Sequence, residues 1–249
     1  MAAKNKWGTG SFSSAFTIIA YKTTDAPSAA VTTVDGTNVK ITWNEPDSSV
    51  TEYEILIETS VSGTFVEHAD CEGDDATILD DLECFVPMAD FLAAPYSLSR
   101  GDLIVVKVRA NNPIGWSSYS AENTSGAEVE TVPSTMSSLA RGSETSTVQI
   151  EVDWTALTLD SETGGSDITT YWLQYDKGTN EVTWYTLAGE TTDYDQTSFI
   201  VDSLIVGGTV YKFRIKAGNV HGLATSFSSS FSIEASDVPD APAAPVVAI

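Results

Sequence analysis

The pattern Ala-x-Asn-x-x-Gly occurs three times at one spacing: Ala3-Lys-Asn5-Lys-Trp-Gly8, Ala110-Asn-Asn112-Pro-Ile-Gly115 and Ala217-Gly-Asn219-Val-His-Gly222. Both steps are 107 residues. A period of this length means tandem units, each the size of one small domain. A chain of 249 residues then holds two such units and parts of others.

The segments before the later copies alternate. Ile104, Val106, Val108 and Ala110 take every second position, as do Tyr211, Phe213, Ile215 and Ala217. Period two is the signature of a half-buried strand. Val39, Ile41 and Trp43 share a face in the same way, as do Val148, Ile150, Val152 and Trp154. Further strands carry Tyr53, Ile55 and Ile57, and Tyr171, Leu173 and Tyr175. Long helical periodicity is absent, and Met88 to Leu98 has room for one short helical turn. Short strands punctuated by Gly, Pro, Asn and Asp predict an all-β fold of tandem seven-stranded antiparallel β-sandwiches.

These residues resemble the fibronectin type III family, an immunoglobulin-like sandwich, over nearly the whole chain. The second unit keeps the pattern best, with Trp154, "GGSDITTYWLQY" and "IVGGTVYKFRIKAGNVHG". The resemblance implies a corner at Ile205 to Tyr211, in which the Tyr211 hydroxyl reaches back to the backbone. Trp43, Tyr53, Trp154, Tyr171 and Tyr211 are the expected structural core. The first unit departs from the pattern: Ile104 stands where the corner tyrosine would, Leu98 matches Ile205, and "CEGDDATILDDLEC" is inserted. Its cysteines are 13 positions apart, too close for the inter-sheet bridge of an immunoglobulin domain. The insert, the "PYSLSRGDLIVVKV" run and the "GGSDITTYWLQYDKGTNEVTWYTLAG" run also resemble fibronectin-type repeats in large surface or secreted proteins of protists, ciliates among them, which implies an extracellular or cell-surface location.

The units are expected at residues 25–131 and 132–238. Ser11 to Val31 matches Ser226 to Val246 at 12 of 21 positions, so residues 1–24 read as the last strand of a preceding domain. Residues 239–249 read as a linker and the first strand of a following one. Phe12, Phe16 and Ile18 then have no core of their own to enter. The rest of a longer molecule, or a neighbouring copy in a filament, is expected to cover them; donation of the strand to a neighbour's incomplete sheet is the alternative.

With 35 acidic and 12 basic residues, the net charge is -23. Such a surface repels nucleic acid and anionic membranes. No run of 18 apolar residues is present to span a membrane. A charged start followed by an apolar stretch is also missing, so any secretion signal is expected outside this chain. Cys71 and Cys84 suit a local disulfide in an oxidising compartment, with two cytosolic thiols as the alternative.

The loop they close carries Glu72, Asp74, Asp75, Asp80, Asp81 and Glu83. These six carboxylates could supply oxygen ligands to Ca²⁺, although the spacing matches no known calcium loop. A solvated acidic loop is the plainer reading, and no other cofactor is expected. Arg100-Gly101-Asp102 has the form of an adhesion tripeptide, but it sits in a turn where Gly101 aligns with Gly208 and needs no adhesive role. Asn123-Thr124-Ser125 has the form of a glycosylation acceptor. Trp116 is a candidate contact to a partner or a neighbouring domain. His68 and His221 lie in different units, each without a second histidine nearby, and neither reads as a zinc site. Catalytic motifs of the hydrolase, zinc-protease, phosphate-loop and dinucleotide types are absent.

The expected function is therefore a non-enzymatic structural or adhesive segment of a longer array. Short Pro-containing linkers would hold the sandwiches at fixed separations, and the partners would be neighbouring domains or copies. A ligand-binding module recognising a protein or glycan through its end loops, with or without Ca²⁺, is the competing reading. Accessory domains of an enzyme are a third.

Overall fold

A computed structural model describes residues 1–15, 22–46 and 50–237. Phe16, Ile18 and the segment 239–249 lie outside the described residues. A small hairpin of β1 (Lys4–Asn5) and β2 (Gly8–Thr9) comes first. There follow β3 (Val31–Asp35), β4 (Asn38–Thr42), β5 (Glu52–Glu58), β6 (Phe65–Glu67), α1 (Ala76–Asp81), β7 (Glu83–Pro87), α2 (Met88–Phe91), β8 (Val106–Asn112) and β9 (Gly115–Trp116). The second half holds β10 (Leu139–Arg141), β11 (Ile150–Trp154), α3 (Asp160–Thr163), β12 (Thr170–Tyr175), β13 (Tyr185–Ala188), β14 (Ser198–Val201), β15 (Val210–Asn219), β16 (Gly222–Leu223) and β17 (Phe231–Glu234).

In the first half, sheet β3-β4-β7 faces sheet β6-β5-β8-β9. In the second half, β10-β11-β14 faces β13-β12-β15-β16, and β17 also pairs with β15. β16 and β17 are thus two pieces of one edge, which makes seven strands per sandwich. All these pairings are antiparallel.

The alternation in sequence sets the burial. Val39, Ile41, Ile55, Ile57, Val106 and Val108 are fully buried in one core, and Ile150, Val152, Leu173, Phe213 and Ile215 in the other. Each such side chain contributes about 1.5–3 kcal/mol relative to exposure. Val148 is the exception: it precedes β11 and is 67% exposed, because the strand begins only at Ile150.

Each core is centred on a Trp–Tyr pair in edge contact. Trp43 meets Tyr53 with ring centroids 5.5 Å apart, and Trp154 meets Tyr171 at 5.7 Å. The Tyr211 corner also forms: its hydroxyl accepts the Val206 N–H at 2.9 Å and donates to the Leu204 carbonyl at 3.3 Å. Ile104 fills the corresponding place in the first sandwich and is fully buried.

The insert is stapled and partly helical. Cys71 and Cys84 form a disulfide that ties the turn Ala69–Cys71 to β7. Asp75 caps α1 by accepting the Thr77 and Ile78 N–H groups at 2.8 and 3.3 Å. The short helical turn expected after Met88 is α2.

Candidate functional site

The repeated Asn and Gly close the same two-residue hairpin three times. Asn5 pairs with Gly8, Asn112 with Gly115 and Asn219 with Gly222. In each, the Asn side-chain oxygen accepts the N–H two residues on: Trp7 at 2.8 Å, Ile114 at 3.0 Å and His221 at 2.9 Å. The glycines have φ of 142°, 140° and 121°, a region that side chains disfavour. Asn, with its local side-chain bond, and Gly, with its backbone freedom, are therefore what the turn requires.

The other end of the same asparagine reaches out of its sandwich. Asn219 is 7% exposed, and its Nδ2 donates to the Thr131 carbonyl and to the Thr163 carbonyl, both at 2.8 Å. Thr131 lies between the two cores, which end at Val129 and resume at Met136. Asn112 does the same one repeat earlier: its Nδ2 donates to the Lys22 carbonyl at 2.9 Å. A buried amide must keep its hydrogen bonds, so each turn grips the strand of chain that enters its sandwich.

At the second of these points further contacts converge. The Thr131 N–H donates to the Gly164 carbonyl at 2.8 Å, and the Ser134 N–H to the Glu162 carbonyl at 2.8 Å. Gly164 has φ 83°, and a Cβ there would stand 2.1 Å from the Thr131 oxygen. His221 Nε2 lies 2.7 Å from Glu130 Oε2, with side chains 8% and 17% exposed. Beside this pair is a hollow of about 530 Å³, lined by Pro87, Met88 and Leu92 of the first sandwich and by Val132 and His221. The junction is thus a built contact, with polar bonds around the linker and an apolar flank.

A second repeated feature covers the outer face of the larger sheets. Lys107 and Arg109 of β8 lie over the Tyr119 ring at 5.0 and 4.7 Å. Arg214 and Lys216 of β15 lie over Phe227 at 4.3 and 4.7 Å. The neighbouring serines are equivalent: Ser120 Oγ accepts the Val108 N–H, and Ser228 Oγ the Ile215 N–H, each at 3.1 Å. Glu54 accepts hydrogen bonds from both Arg109 and Tyr119. Burial pushes its pKa up, but these bonds and the nearby cations outweigh it and hold the carboxyl below its ordinary value. Burial, then the bond to Glu54, pushes the Tyr119 hydroxyl up to about 12.

This ladder corrects the reading of Phe12. Its counterparts Tyr119 and Phe227 are rings on the outer face of a sheet, not core residues. Phe12 is 80% exposed, and no partner surface covers it among the described residues. The reason is physical: an outer-face ring of this kind packs under the cations of its neighbouring strand, as Tyr119 does with β8 and Phe227 with β15. Trp116 belongs to the same face, with the Arg109 guanidinium 4.6 Å from its ring centre.

The remaining candidates have local roles. Gly101 and Gly208 occupy matching turns at φ 83° and 78°. The Asp102 carboxylate accepts the Ser99 N–H at 2.7 Å and so closes its own turn. Asn123 is 6% exposed; it accepts the Val106 N–H at 2.7 Å and donates to the Ile104 carbonyl at 3.0 Å. The amide nitrogen expected to carry a glycan is therefore engaged in the core wall, which corrects that expectation. The six carboxylates of the Cys71–Cys84 loop do not converge among the described residues. Asp75 is spent on the α1 cap, and Glu83 pairs with Lys40 at 2.6 Å. The only gathering of three or more ligand-type side chains among the described residues is His68, Asp70 and Asp90.

No family model and no curated protein matches the chain. Solved structures do. Domains A168-A170 from titin match 86% of this chain at 18% identity, with a TM-score of 0.45. The FN1-FN3 domains of chicken CNTN1 match 86% of it at 17% identity, with a TM-score of 0.39. The chain covers 61% of the titin structure and 67% of the CNTN1 structure. The sequence marks the Ala-x-Asn-x-x-Gly pattern as a repeated turn, with no role at a domain junction. It does not mark that Asn219, with Glu130, Gly164 and His221, builds the junction; the equal spacing of the asparagines is the available signal.

Proposed function

We propose that this chain is a non-enzymatic structural or adhesive segment of a longer β-sandwich array, and that it acts as a semi-rigid spacer. One observation carries this reading: the repeated asparagine bonds the incoming linker, Asn219 to Thr131 and Asn112 to Lys22. A linker held only by its ends lets two domains swivel, whereas one bonded along its length does not. The Gly164 and His221 contacts support the same reading. Its partners are neighbouring sandwiches of the array or neighbouring copies. The Cys71–Cys84 disulfide supports a location outside the cell or at its surface.

Small-angle scattering on the chain tests the proposal. A rod-like profile fitted by one arrangement of the two sandwiches is expected. A profile that only a broad ensemble of inter-sandwich angles can fit would overturn it.

A further inference from the structure

Away from the junction, the first sandwich gathers a second set of groups. His68 precedes the turn Ala69–Cys71, Asp70 lies in that turn, and Asp90 lies in α2. One ligand atom of each lies within 4.8 Å of the other two. The His68 side chain is 13% exposed, while the two carboxylates are about half exposed. Glu67, His68, Asp90 and Tyr96 line a cavity of about 310 Å³, room for an ion with bound waters. Tyr96 is 1% exposed and stacks on His68 with ring centroids 5.9 Å apart. Its hydroxyl has no hydrogen-bond partner among the described residues. A buried polar group left unpaired in this way asks for an explanation, such as a ligand or water.

The hydrogen bonds define the imidazole. Nδ1 accepts the Asp70 N–H at 3.1 Å, so the ring proton sits on Nε2, which faces Asp90 Oδ2 at 3.3 Å. We propose that His68 and Asp90, with Asp70 behind the imidazole, hold one divalent first-row transition ion, represented by Zn²⁺, at this cavity. The ion binds Nε2 and the Asp90 carboxylate. The ring proton moves to Nδ1, where Asp70 Oδ2, 3.7 Å away, becomes its acceptor and the Asp70 N–H turns to water. A carboxylate behind a ligating imidazole is the usual support for such a bond. Water and the Glu67 side of the cavity complete the coordination.

An imidazole ligand selects zinc-type ions over calcium, which prefers oxygen alone. The segments that carry the ligands are also tied together beforehand. The turn that carries Asp70 is tied to β7 by the disulfide, and α2 continues directly from β7. The net charge of -23 raises the local concentration of any cation.

Calorimetric titration of the metal-free chain with Zn²⁺, and in parallel with Ca²⁺, tests the site. One Zn²⁺ per chain is expected, with a shift of the His68 ring resonances. His68→Ala and Asp90→Asn should each weaken binding at least tenfold, and Asp70→Asn by a smaller factor. A double change of Asp80→Asn and Asp81→Asn, in α1, should leave it unaltered. If His68→Ala fails to fold, the exposed Asp90→Asn variant decides alone. Absence of Zn²⁺ binding, equal binding by the folded variants, or tighter binding of Ca²⁺ than Zn²⁺ would overturn the proposal.

Discussion

Asn219 Nδ2 donates to the carbonyl oxygen of Thr131 at 2.8 Å, across 88 positions of sequence. The same nitrogen also holds the Thr163 carbonyl, so one side chain ties the linker to the second sandwich. Replacing it by Ala removes both bonds and the Oδ1 bond from the His221 N–H, while the turn keeps its Gly222. Asn219→Ala should therefore lower the stability of the second sandwich by about 1–3 kcal/mol, the cost of leaving buried partners unpaired. It should also broaden the scattering profile. Urea unfolding and scattering on the same sample check both; an unchanged profile would separate stability from stiffness.

Two glycines of similar backbone conformation allow a controlled comparison. Gly164 (φ 83°) has the Thr131 and Val132 carbonyls at 2.1 and 2.8 Å from a built Cβ, whereas Gly208 (φ 78°) has nothing within 4 Å. Gly208→Ala should cost about 1–2 kcal/mol, the left-handed backbone penalty alone. Gly164→Ala carries the same penalty and must also push the linker away. It should cost more and loosen the junction, as thermal unfolding and scattering would report. Equal effects at the two sites would mean that the linker contact at Gly164 contributes nothing.

The disulfide belongs to one sandwich. Cys71 and Cys84 are separated by 13 positions, and closing a loop of that size stabilises by about 3 kcal/mol in the chain-entropy model. Reduction, or a Cys71→Ser and Cys84→Ser double change, should lower the first unfolding transition by several degrees and leave that of the second sandwich in place. Scanning calorimetry with and without reductant distinguishes the two.

Acid should act on the first sandwich through Glu54. Burial opposes its charge, but the bonds from Arg109 and Tyr119 and the charges of Arg109 and Lys107 hold its pKa below the ordinary value. A carboxylate depressed in this way stabilises the fold above its unfolded pKa, about 4.3, and that contribution is lost as pH falls through the folded value. The urea midpoint should therefore drop on acidification below about pH 4.3. Glu54→Gln should start lower at neutral pH and fall less over the same window. Parallel curves for the two proteins would contradict this assignment.

Most of the fold is legible in the order of residues, because the relevant signals are local. Alternation at Ile104, Val106, Val108 and Ala110 marks a strand without reference to anything distant, and all four are fully buried. Val148 shows where that reasoning fails. Alternation continues past the point where β11 starts, and only the register Ile150–Val201 shows where pairing stops. Asn123 fails for another reason: an acceptor triplet says nothing about exposure, which the chain entering β8 decides by placing Val106 N–H and Ile104 C=O on the amide.

The sequence by itself determined the strand pattern, the inward places of Trp43, Tyr53, Trp154 and Tyr171, and the 107-residue repeat, since periodicity and spacing act over a few residues or recur unchanged. Tertiary structure alone decided which polar groups meet: Asn219 with Thr131, His221 with Glu130, and His68 with Asp90. A hydrogen bond or ion pair depends on ångström distances between segments brought together by packing. An asparagine in a turn is the same letter whether it faces water or grips a linker.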